Sequence, residues 1–105
     1  MKVAITSSGN TVDALLDQRF GRCAYFAFFD TESKSLEFVE NTTKDAEEGA
    51  GPAAVAAVAG RHVGKIISGE FGFKIKGMLN DLHIQMVMIK EPTTIQEIID
   101  LLNQH

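Results

Sequence analysis

The only cysteine of the chain, Cys23, follows two arginines, Arg19 and Arg22, in the segment QRFGRC. Positive charge close to a thiol lowers its pKa and favours the thiolate, which is the form that binds metals. The spacing therefore predicts Cys23 as a metal ligand, with the two arginines attracting an anionic group. Two other roles stay open for Cys23: a small packed side chain, or a thiol that forms a disulfide-linked dimer on oxidation.

A single thiol limits the kind of metal site that the chain can build. Iron–sulfur clusters usually take about four protein ligands, and the sequence has no C-x-x-C pair. We therefore expect any cluster to arrive with its own ligands or to be shared across a dimer. A disulfide within one chain is excluded, which favours a reducing, cytoplasmic setting.

The glycine-rich stretch 49–72 is the second candidate for chemistry, and it also organises the fold. Gly49 and Gly51 precede an alanine-rich run that predicts a helix at 52–59, closed by a left-handed cap at Gly60. A β-branched run then predicts a strand at 63–67, and the turn SGEFG opens another helix. The candidate ligand-binding residues of this turn are Ser68, Gly69 and Gly72. Turns and caps alone would also explain these glycines.

Alternating and aromatic-rich runs predict five strands. They cover 2–6, 25–30, 35–41, 63–67 and 84–89. The last run is apolar with little alternation, which is typical of a strand buried on both faces. The first three strands are close in sequence and are expected to form an antiparallel meander.

Helical spacing predicts two more main helices and one short turn. The apolar stripe of the helix at 73–82 consists of Ile75, Met78, Leu79 and Leu82. Thr94 and Glu97 form a capping box before the last helix. A single helical turn is expected at 11–17. Its inward-facing residues would be Val12, Leu15 and Leu16.

The element order β-β-β-α-β-α-β-α predicts one α/β domain over residues 1–105. Right-handed crossovers make the fourth and fifth strands parallel to each other and to the first. The expected result is a mixed five-stranded sheet in the order 3-2-1-4-5, with strand two antiparallel and helices on both faces. This is the ribonuclease H-like three-layer arrangement. A nuclease of that fold needs carboxylates on its central strands, and the first strand, KVAIT, has none.

The topology sorts the loops between the two edges of the sheet. The carboxyl edge is expected to collect the amino ends of the three main helices and four segments: 7–23, 41–51, 68–72 and 90–94. Ligands of open α/β sheets bind at this edge. The free N–H groups of helix amino ends favour anions. A binding site at the carboxyl edge is therefore predicted.

The three histidines do not complete a metal site. His62 and His83 each precede a strand, so we expect them at the opposite edge, near each other and far from Cys23. Two histidines are an incomplete ligand set, and both are expected to be surface residues. His105 is terminal and is expected to be frayed.

Composition excludes several classes of function. A formal net charge of -4 and a pI of about 5.2 argue against a nucleic-acid binder, which normally has a basic face. No apolar run approaches the roughly 20 residues that span a membrane, and the first residues predict a strand rather than a signal peptide. No P-loop, nucleophile elbow or dinucleotide fingerprint is present, so we expect no enzyme.

The segment RFGRCAYF at 19–26 resembles the dinitrogenase iron–molybdenum cofactor biosynthesis family, which includes NifX-like nitrogenase accessory proteins. The likeness continues through Asn41 at the end of strand three, the GAG segment at 49–51 and the SGEFG turn at 68–72, and so covers nearly the whole chain. The resemblance implies a ribonuclease H-like fold without nuclease activity. It also implies non-catalytic binding or carriage of an iron–sulfur or iron–molybdenum cluster, or of its precursor. Such carriage would involve proteins that donate or accept the cluster.

Together, the residue patterns and the resemblance give nine candidate binding residues. They are Arg19, Arg22, Cys23, Asn41, Gly49, Gly51, Ser68, Gly69 and Gly72, with Cys23 as the expected metal ligand. Acidic residues at the same edge oppose an anionic cluster: Asp45, Glu47, Glu48 and Glu70. The alternative function is a metal-free module that binds a small anionic metabolite or a protein partner. A homo-oligomer is compatible with the sequence, whereas nucleic acid and membrane are not expected as partners.

Overall fold

One mixed sheet forms the middle of the molecule, and the computed structural model describes it with its helices over residues 1–104. The strands are β1 (Lys2–Ser7), β2 (Tyr25–Asp30), β3 (Leu36–Glu40), β4 (Lys65–Ser68) and β5 (Gln85–Met88). The helices are α1 (Ala50–Ala59), α2 (Phe73–Asp81) and α3 (Ile95–Leu102). Between residues 1 and 104, no helix is both long and apolar enough to cross a membrane.

The order and direction of the strands confirm the sequence-based prediction. The order is β3-β2-β1-β4-β5. β2 pairs antiparallel with both β1 and β3, whereas β4 is parallel to β1 and β5 is parallel to β4. The central strand β1 places Ala4 between Phe28 and Ile66. Strands β1, β3, β4 and β5 therefore end at the same edge of the sheet.

Two apolar cores, one on each face of the sheet, hold three layers together. Successive side chains along a strand point to opposite faces, so Ala4 lies in one core while Val3 and Ile5 lie in the other. The core under α1 and α2 contains Phe26, Ile66 and Leu79. The core under α3 contains Ile67, Ile95 and Ile98. Helices on both faces are thus confirmed.

Small side chains make up the buried face of α1. Its buried residues are Ala50, Ala54, Val55 and Val58. The helix begins two residues before Pro52, which still occupies the first turn, where its missing N–H is not needed. The predicted left-handed cap at Gly60 is wrong, because Gly60 has a φ of -64°. The chain instead turns at His62, which has a φ of 58° and donates its N–H to the carbonyl of Ala59 at 3.1 Å.

The predicted helical turn at 11–17 is wrong. The N–H of Ala14 donates to the carbonyl of Thr11 in an isolated turn, and the chain then extends along its neighbours. Leu15 pairs with Thr94, and Leu16 pairs with Ser7. Consecutive residues of an extended chain face opposite sides. Leu16 is therefore buried as expected, whereas Leu15 is exposed.

The far side of the sheet, where β5 lies, is less covered than the sequence suggests. The prediction that β5 is buried on both faces is wrong, since it is an edge strand and Met88 is 53% exposed. Within the predicted stripe of α2, Ile75 and Leu79 are buried, but Met78 and Leu82 are exposed. The exposed residues Met78, Leu82 and Met88 belong to α2, the turn after it and β5. No strand within residues 1–104 lies beyond β5.

Candidate functional site

The loops at the carboxyl edge interlock into one surface. We use "carboxyl edge" for the segments 7–24, 41–51, 68–72 and 90–94, which follow or precede the strand ends on that side. The N–H of Leu16 donates to the carbonyl of Thr93 at 2.8 Å, which joins the first segment to the last. Arg19 pairs with Glu70 in an isolated parallel bridge. The predicted clustering of these loops is therefore observed in their backbone contacts.

Hydroxyl groups at the ends of two central strands hold the segment 17–19 in place. Thr6 Oγ1 lies 2.8 Å from the carbonyl oxygen of Asp17 and 2.9 Å from Ser68 Oγ. The N–H of Gly69 also donates to the carbonyl of Asp17, at 3.4 Å. A Cβ atom on Gly69 would lie 2.5 Å from the Cα atom of Gln18, so only glycine fits there. Ser68 and Gly69 therefore support the loop from below.

Arg19 is the exposed cation of this loop. Its backbone N–H donates to Asp17 Oδ1 at 2.9 Å, and its Nε lies 3.5 Å from the same carboxylate oxygen. Glu70, its backbone neighbour, pairs with Lys90 at 3.6 Å. The side chain of Arg19 is 64% exposed and that of Asp17 only 11%, so Asp17 holds one side of the guanidinium while the other faces solvent.

Arg22 does not lie against the thiol but ties down the polar loop before α1. Its Nη1 donates to the carbonyl of Lys44 at 2.8 Å and also to the carbonyl of Ala46. The guanidinium therefore supplies hydrogen-bond donors to two backbone carbonyl groups of this loop. This use of Arg22 was not predicted from the sequence, because it depends on a loop 22 residues further along the chain.

Cys23 is a buried, protonated thiol. Its Sγ donates to the carbonyl of Phe20 at 3.3 Å, and its side chain is fully buried. Burial, reinforced by the negative charge of Asp17, raises the pKa of Cys23 to about 12; Asn41 and Arg19 oppose this shift more weakly. Arg19 thus lowers this pKa, as predicted, but burial outweighs its effect, so the predicted net lowering is wrong. Whether Cys23 binds iron stays a prediction, and its burial argues against an intermolecular disulfide.

Asn41 links the segment before β2 to the turn after β3. Its Nδ2 donates to the carbonyls of Gly21 at 3.1 Å and Cys23 at 2.9 Å. Its Oδ1 accepts from the backbone N–H and the hydroxyl of Thr43. Because the side chain is buried and its polar atoms are occupied, Asn41 shapes the edge and leaves no free group for a ligand.

The amino ends of α1 and α2 lack side-chain caps, whereas α3 has one. Gly49, with a φ of 77°, precedes α1, and Gly72 precedes α2. Thr94 and Glu97 cap α3 with the predicted capping box. The first N–H groups of α1 and α2 thus have no side-chain acceptor within residues 1–104. Of the three helix ends expected at this edge, two are suited to an anion.

Two glycines allow the loop before β2 to cross the start of α1. A Cβ atom on Gly21 would lie 2.9 Å from the Cα atom of Gly51. A Cβ atom on Gly51 would in turn lie 2.7 Å from Ile75 of α2. The close approach explains the glycine at 51, and it brings Arg19, Arg22 and the start of α1 into one region.

A small cavity of about 90 Å³ adjoins the edge between β2, β3 and α1. Phe26 and Phe28 line one side, Ala53 and Ala57 line the other, and Arg61 lies with its Cζ atom 4.5 Å from the centre of the Phe28 ring. Ligand pockets usually measure about 300–1,000 Å³. A ligand of the carboxyl edge would therefore rest on its loops rather than enter this cavity.

The histidines lie away from the carboxyl edge, as predicted. His62 and His83 occupy equivalent turns before the neighbouring strands β4 and β5, and both have left-handed backbones with φ of 58° and 57°. Over residues 1–104, no group of three or more His, Cys, Asp or Glu side chains could hold a metal ion. His105 lies outside the described residues.

Sequence analysis missed three residues that matter at this edge. Thr6 and Asp17 build the support under Arg19, and Thr43 completes the contacts of Asn41. A polar residue at the end of an apolar strand, as in KVAIT, is a signal that could have identified Thr6. The other two belong to local turns: Asp17 Oδ1 accepts from the N–H of Arg19, and Asn41 Oδ1 accepts from Thr43. Asp and Asn favour such turns, so this signal was present in the sequence.

The three layers and the strand order define a small ribonuclease H-like α/β domain, with its loops gathered at one edge. The chain belongs to the dinitrogenase iron–molybdenum cofactor family, whose model matches residues 1–105. The family predicted from the sequence is therefore confirmed. No protein of curated function matches this chain.

Solved structures agree with this assignment. The apo form of the orange protein from Desulfovibrio gigas is 29% identical with a TM-score of 0.88, over 94% of this chain and 83% of that one. A Thermotoga protein, provisionally described as NifB, is 34% identical with a TM-score of 0.83, over 98% and 87% of the two chains. A provisionally described dinitrogenase from Methanocaldococcus jannaschii is 18% identical with a TM-score of 0.67, over 99% and 88%, and supports the fold alone.

Proposed function

We propose that this chain binds and carries a metallocluster of the iron–sulfur or iron–molybdenum type, or its precursor, without catalysing a reaction. The observation that carries the proposal is the match of residues 1–105 to the dinitrogenase iron–molybdenum cofactor family. The carboxyl edge supports it, because two uncapped helix ends and the exposed Arg19 lie on one surface. The cluster is cargo in this proposal, exchanged with donor and acceptor proteins in the cytoplasm.

The donor atoms of the edge favour binding without protein–metal bonds. No group of three metal-ligating side chains is found in residues 1–104, and Cys23 is buried and protonated. A cluster that keeps its own ligands can instead accept hydrogen bonds from the N–H groups that begin α1 and α2. Charge-assisted contacts of this kind are the stronger hydrogen bonds in proteins.

Each candidate residue then has a definite role. Arg19 supplies an exposed positive charge, and Gly49 and Gly72 leave the first N–H groups of α1 and α2 without a side-chain cap. Ser68 and Gly69 hold the loop that carries Arg19. The residues Arg22, Asn41 and Gly51 fix the segments around it.

Ligation by Cys23 is the second form of the same proposal. It requires the segment 19–23 to open and the thiol to lose its proton. With a pKa of about 12, the thiolate fraction at pH 7 is on the order of one in 10⁵. Binding through N–H groups and Arg19 is therefore the form that we favour.

Anaerobic loading tests both forms. The purified protein is mixed with an iron–sulfur or iron–molybdenum cluster and desalted, and the retained iron is measured with the visible spectrum. We expect Arg19→Gln to retain several-fold less iron than the parent, and Arg61→Gln, a matched change away from the edge, to retain the same amount. Cys23→Ala is expected to retain parental iron. If Cys23→Ala folds but retains less iron than the parent, the result would support ligation of the cluster by the thiolate of Cys23.

A metal-free binding module is the alternative, and the lack of a three-residue metal site within residues 1–104 favours it. The same open helix ends would then bind a small anionic metabolite or a protein partner. Absence of retained iron in every variant would reject the cluster proposal. A phosphate-bearing compound that raises the melting temperature of the parent, but not of Arg19→Gln, would then support the alternative.

A further inference from the structure

The two edges of the sheet are protected very differently. The outer strand β3 carries Glu37 and Glu40, and Arg61 pairs with Glu37 at 2.7 Å. The outer strand β5 reads QMVM and carries no charge. Charged side chains on an edge strand prevent it from pairing with another chain, and an uncharged edge lacks that protection. Only the β5 edge is therefore suited to strand pairing.

The backbone of β5 offers free hydrogen-bonding groups to such a pairing. The N–H groups of Gln85 and Ile89 donate inward to Gly64 and Ser68, each at 3.0 Å. Because the inward and outward directions alternate along a strand, the N–H and C=O groups of Met86 and Met88 point outward. No strand within residues 1–104 lies on that side.

Exposed apolar side chains concentrate in α2, β5 and the turn between them. Seven large apolar residues are exposed in residues 1–104, and four of them belong to α2, β5 or the turn between them. These four are Phe73, Met78, Leu82 and Met88. Apolar groups that gather next to an unpaired edge mark an interaction surface.

We propose that β5 pairs antiparallel with β5 of a second copy of this chain, about a two-fold axis at Val87. In that register, Met86 and Met88 face Met88 and Met86 of the partner subunit, so that each outward N–H meets an outward C=O. Such an interface is self-complementary, as two-fold interfaces must be. The register also sets Glu91 opposite His83 of the partner subunit, which brings an acid against a potential cation. The two sheets become one sheet of ten strands.

This arrangement has a consequence for the carboxyl edge. Because the paired strands run in opposite directions, the loop 90–94 of one copy lies beside the start of β5 in the other. The partner's His83 is thereby placed next to the carboxyl edge, which has no histidine of its own. The proposal does not depend on cluster binding.

Sedimentation velocity tests the association directly. We expect a reversible monomer–dimer equilibrium between about 10 µM and about 1 mM, the range for weak complexes. Met88→Lys places a charge on the edge and is expected to leave a monomer throughout. Leu101→Lys, at a position of similar exposure (51% against 53%) on α3, is expected to dimerise like the parent. A monomeric parent, or a dimer that survives Met88→Lys, would overturn the proposal.

Cysteine cross-linking tests the register. In a non-hydrogen-bonded antiparallel pair the Cα atoms are about 4.5 Å apart, which a disulfide can span. Val87→Cys is therefore expected to form a disulfide dimer under mild oxidation. Gln85→Cys should not, because its two copies would lie about 13 Å apart along the strands. The native Cys23 is buried, so we expect it to form no intermolecular disulfide in this experiment. Equal cross-linking at both positions, or none at 87, would overturn this pairing.

Discussion

The burial of Cys23 links the stability of the domain to alkaline pH. Folding raises the pKa of this thiol from 9.0 to about 12, so the native state holds the proton more tightly than the unfolded chain. This stabilisation is complete below about pH 9 and is lost as the pH rises towards 12, by about 1.4 kcal/mol per pH unit. Urea unfolding at about pH 9 and about pH 10.5 should show the parent losing about 2 kcal/mol more than Cys23→Ala.

The difference between the two proteins isolates the thiol, since every other side chain is the same in both. Parallel loss of stability in the parent and Cys23→Ala would mean that the thiol ionises in the native state without cost. That result would also restore Cys23 as an accessible thiolate ligand.

Asn41 is expected to be more important for stability than for direct binding. Asn41→Asp keeps the shape but removes the two donors to the carbonyls of Gly21 and Cys23. Each buried carbonyl left unpaired costs about 1–3 kcal/mol. We expect a total loss of about 2–5 kcal/mol in the free energy of unfolding, measured by urea denaturation. Asn103→Asp is the matched control, because Asn103 is exposed and its Oδ1 only accepts from Lys34 at 2.8 Å. An equal effect at both positions would contradict this role.

At the residue scale, the sequence predicted which side chains gather but not what each one does. Cys23, Asn41 and Arg22 do lie together near the edge, as the topology required. Their chemistry depends on burial and on backbone partners more than 15 residues away. Such partners are set by tertiary structure, so the charge of a sequence neighbour was a poor guide to the thiol pKa.

At the element scale, glycine has two opposite roles that substitution can separate. A Cβ atom on Gly69 would lie only 2.5 Å from the Cα atom of Gln18. Gly69→Ala must therefore displace the loop that carries Arg19. A Cβ atom on Gly77, inside α2, meets nothing within 4 Å. We expect Gly69→Ala to destabilise by about 1–3 kcal/mol and Gly77→Ala to stabilise by about 0.5–1 kcal/mol. Thermal unfolding of the two variants checks both signs. Stabilisation by Gly69→Ala would show that the loop can move without cost.

Elements that depend on neighbouring residues were predicted accurately, whereas burial, which depends on distant segments, was not. The aromatic strand β2 and the capping box of α3 were predicted correctly, because neighbouring residues determine them. The burial of β5 was predicted wrongly, as was that of Met78 and Leu82 in the stripe of α2. An apolar run indicates burial, but the strand order, which was predicted correctly, places β5 at the edge of the sheet, where one side has no strand within residues 1–104. Met88 is exposed because β5 ends the sheet.

At the scale of the whole molecule, the strand order was predictable because few topologies satisfy right-handed crossovers between parallel strands. That order places four strand ends and three helix starts at one edge. The same order makes β5 an edge strand, with no strand of residues 1–104 paired on its outer side. The proposed binding edge and the proposed dimer edge therefore follow from one feature of the chain path.

The net charge of the molecule predicts an unusual salt dependence for an anionic cluster. The chain carries a formal charge of -4, and its radius of gyration is 12.4 Å. At about 10 mM salt the Debye length is about 30 Å, so the entire molecule repels an incoming anion; near 0.15 M it is about 8 Å, and mainly the carboxyl edge acts. We expect the association rate of the cluster, followed by stopped-flow absorbance, to rise over this range of salt.

Variants of the edge separate this long-range repulsion from local attraction. Arg19→Gln should bind more slowly at every salt concentration, with a steeper rise. Glu70→Gln should bind faster, with a flatter rise, because it removes one negative charge beside Arg19. An association rate that falls with added salt in the parent would mean that local cations dominate the field. In that case the acidic residues of the edge would not repel the cluster, and the negative net charge would have no effect on binding.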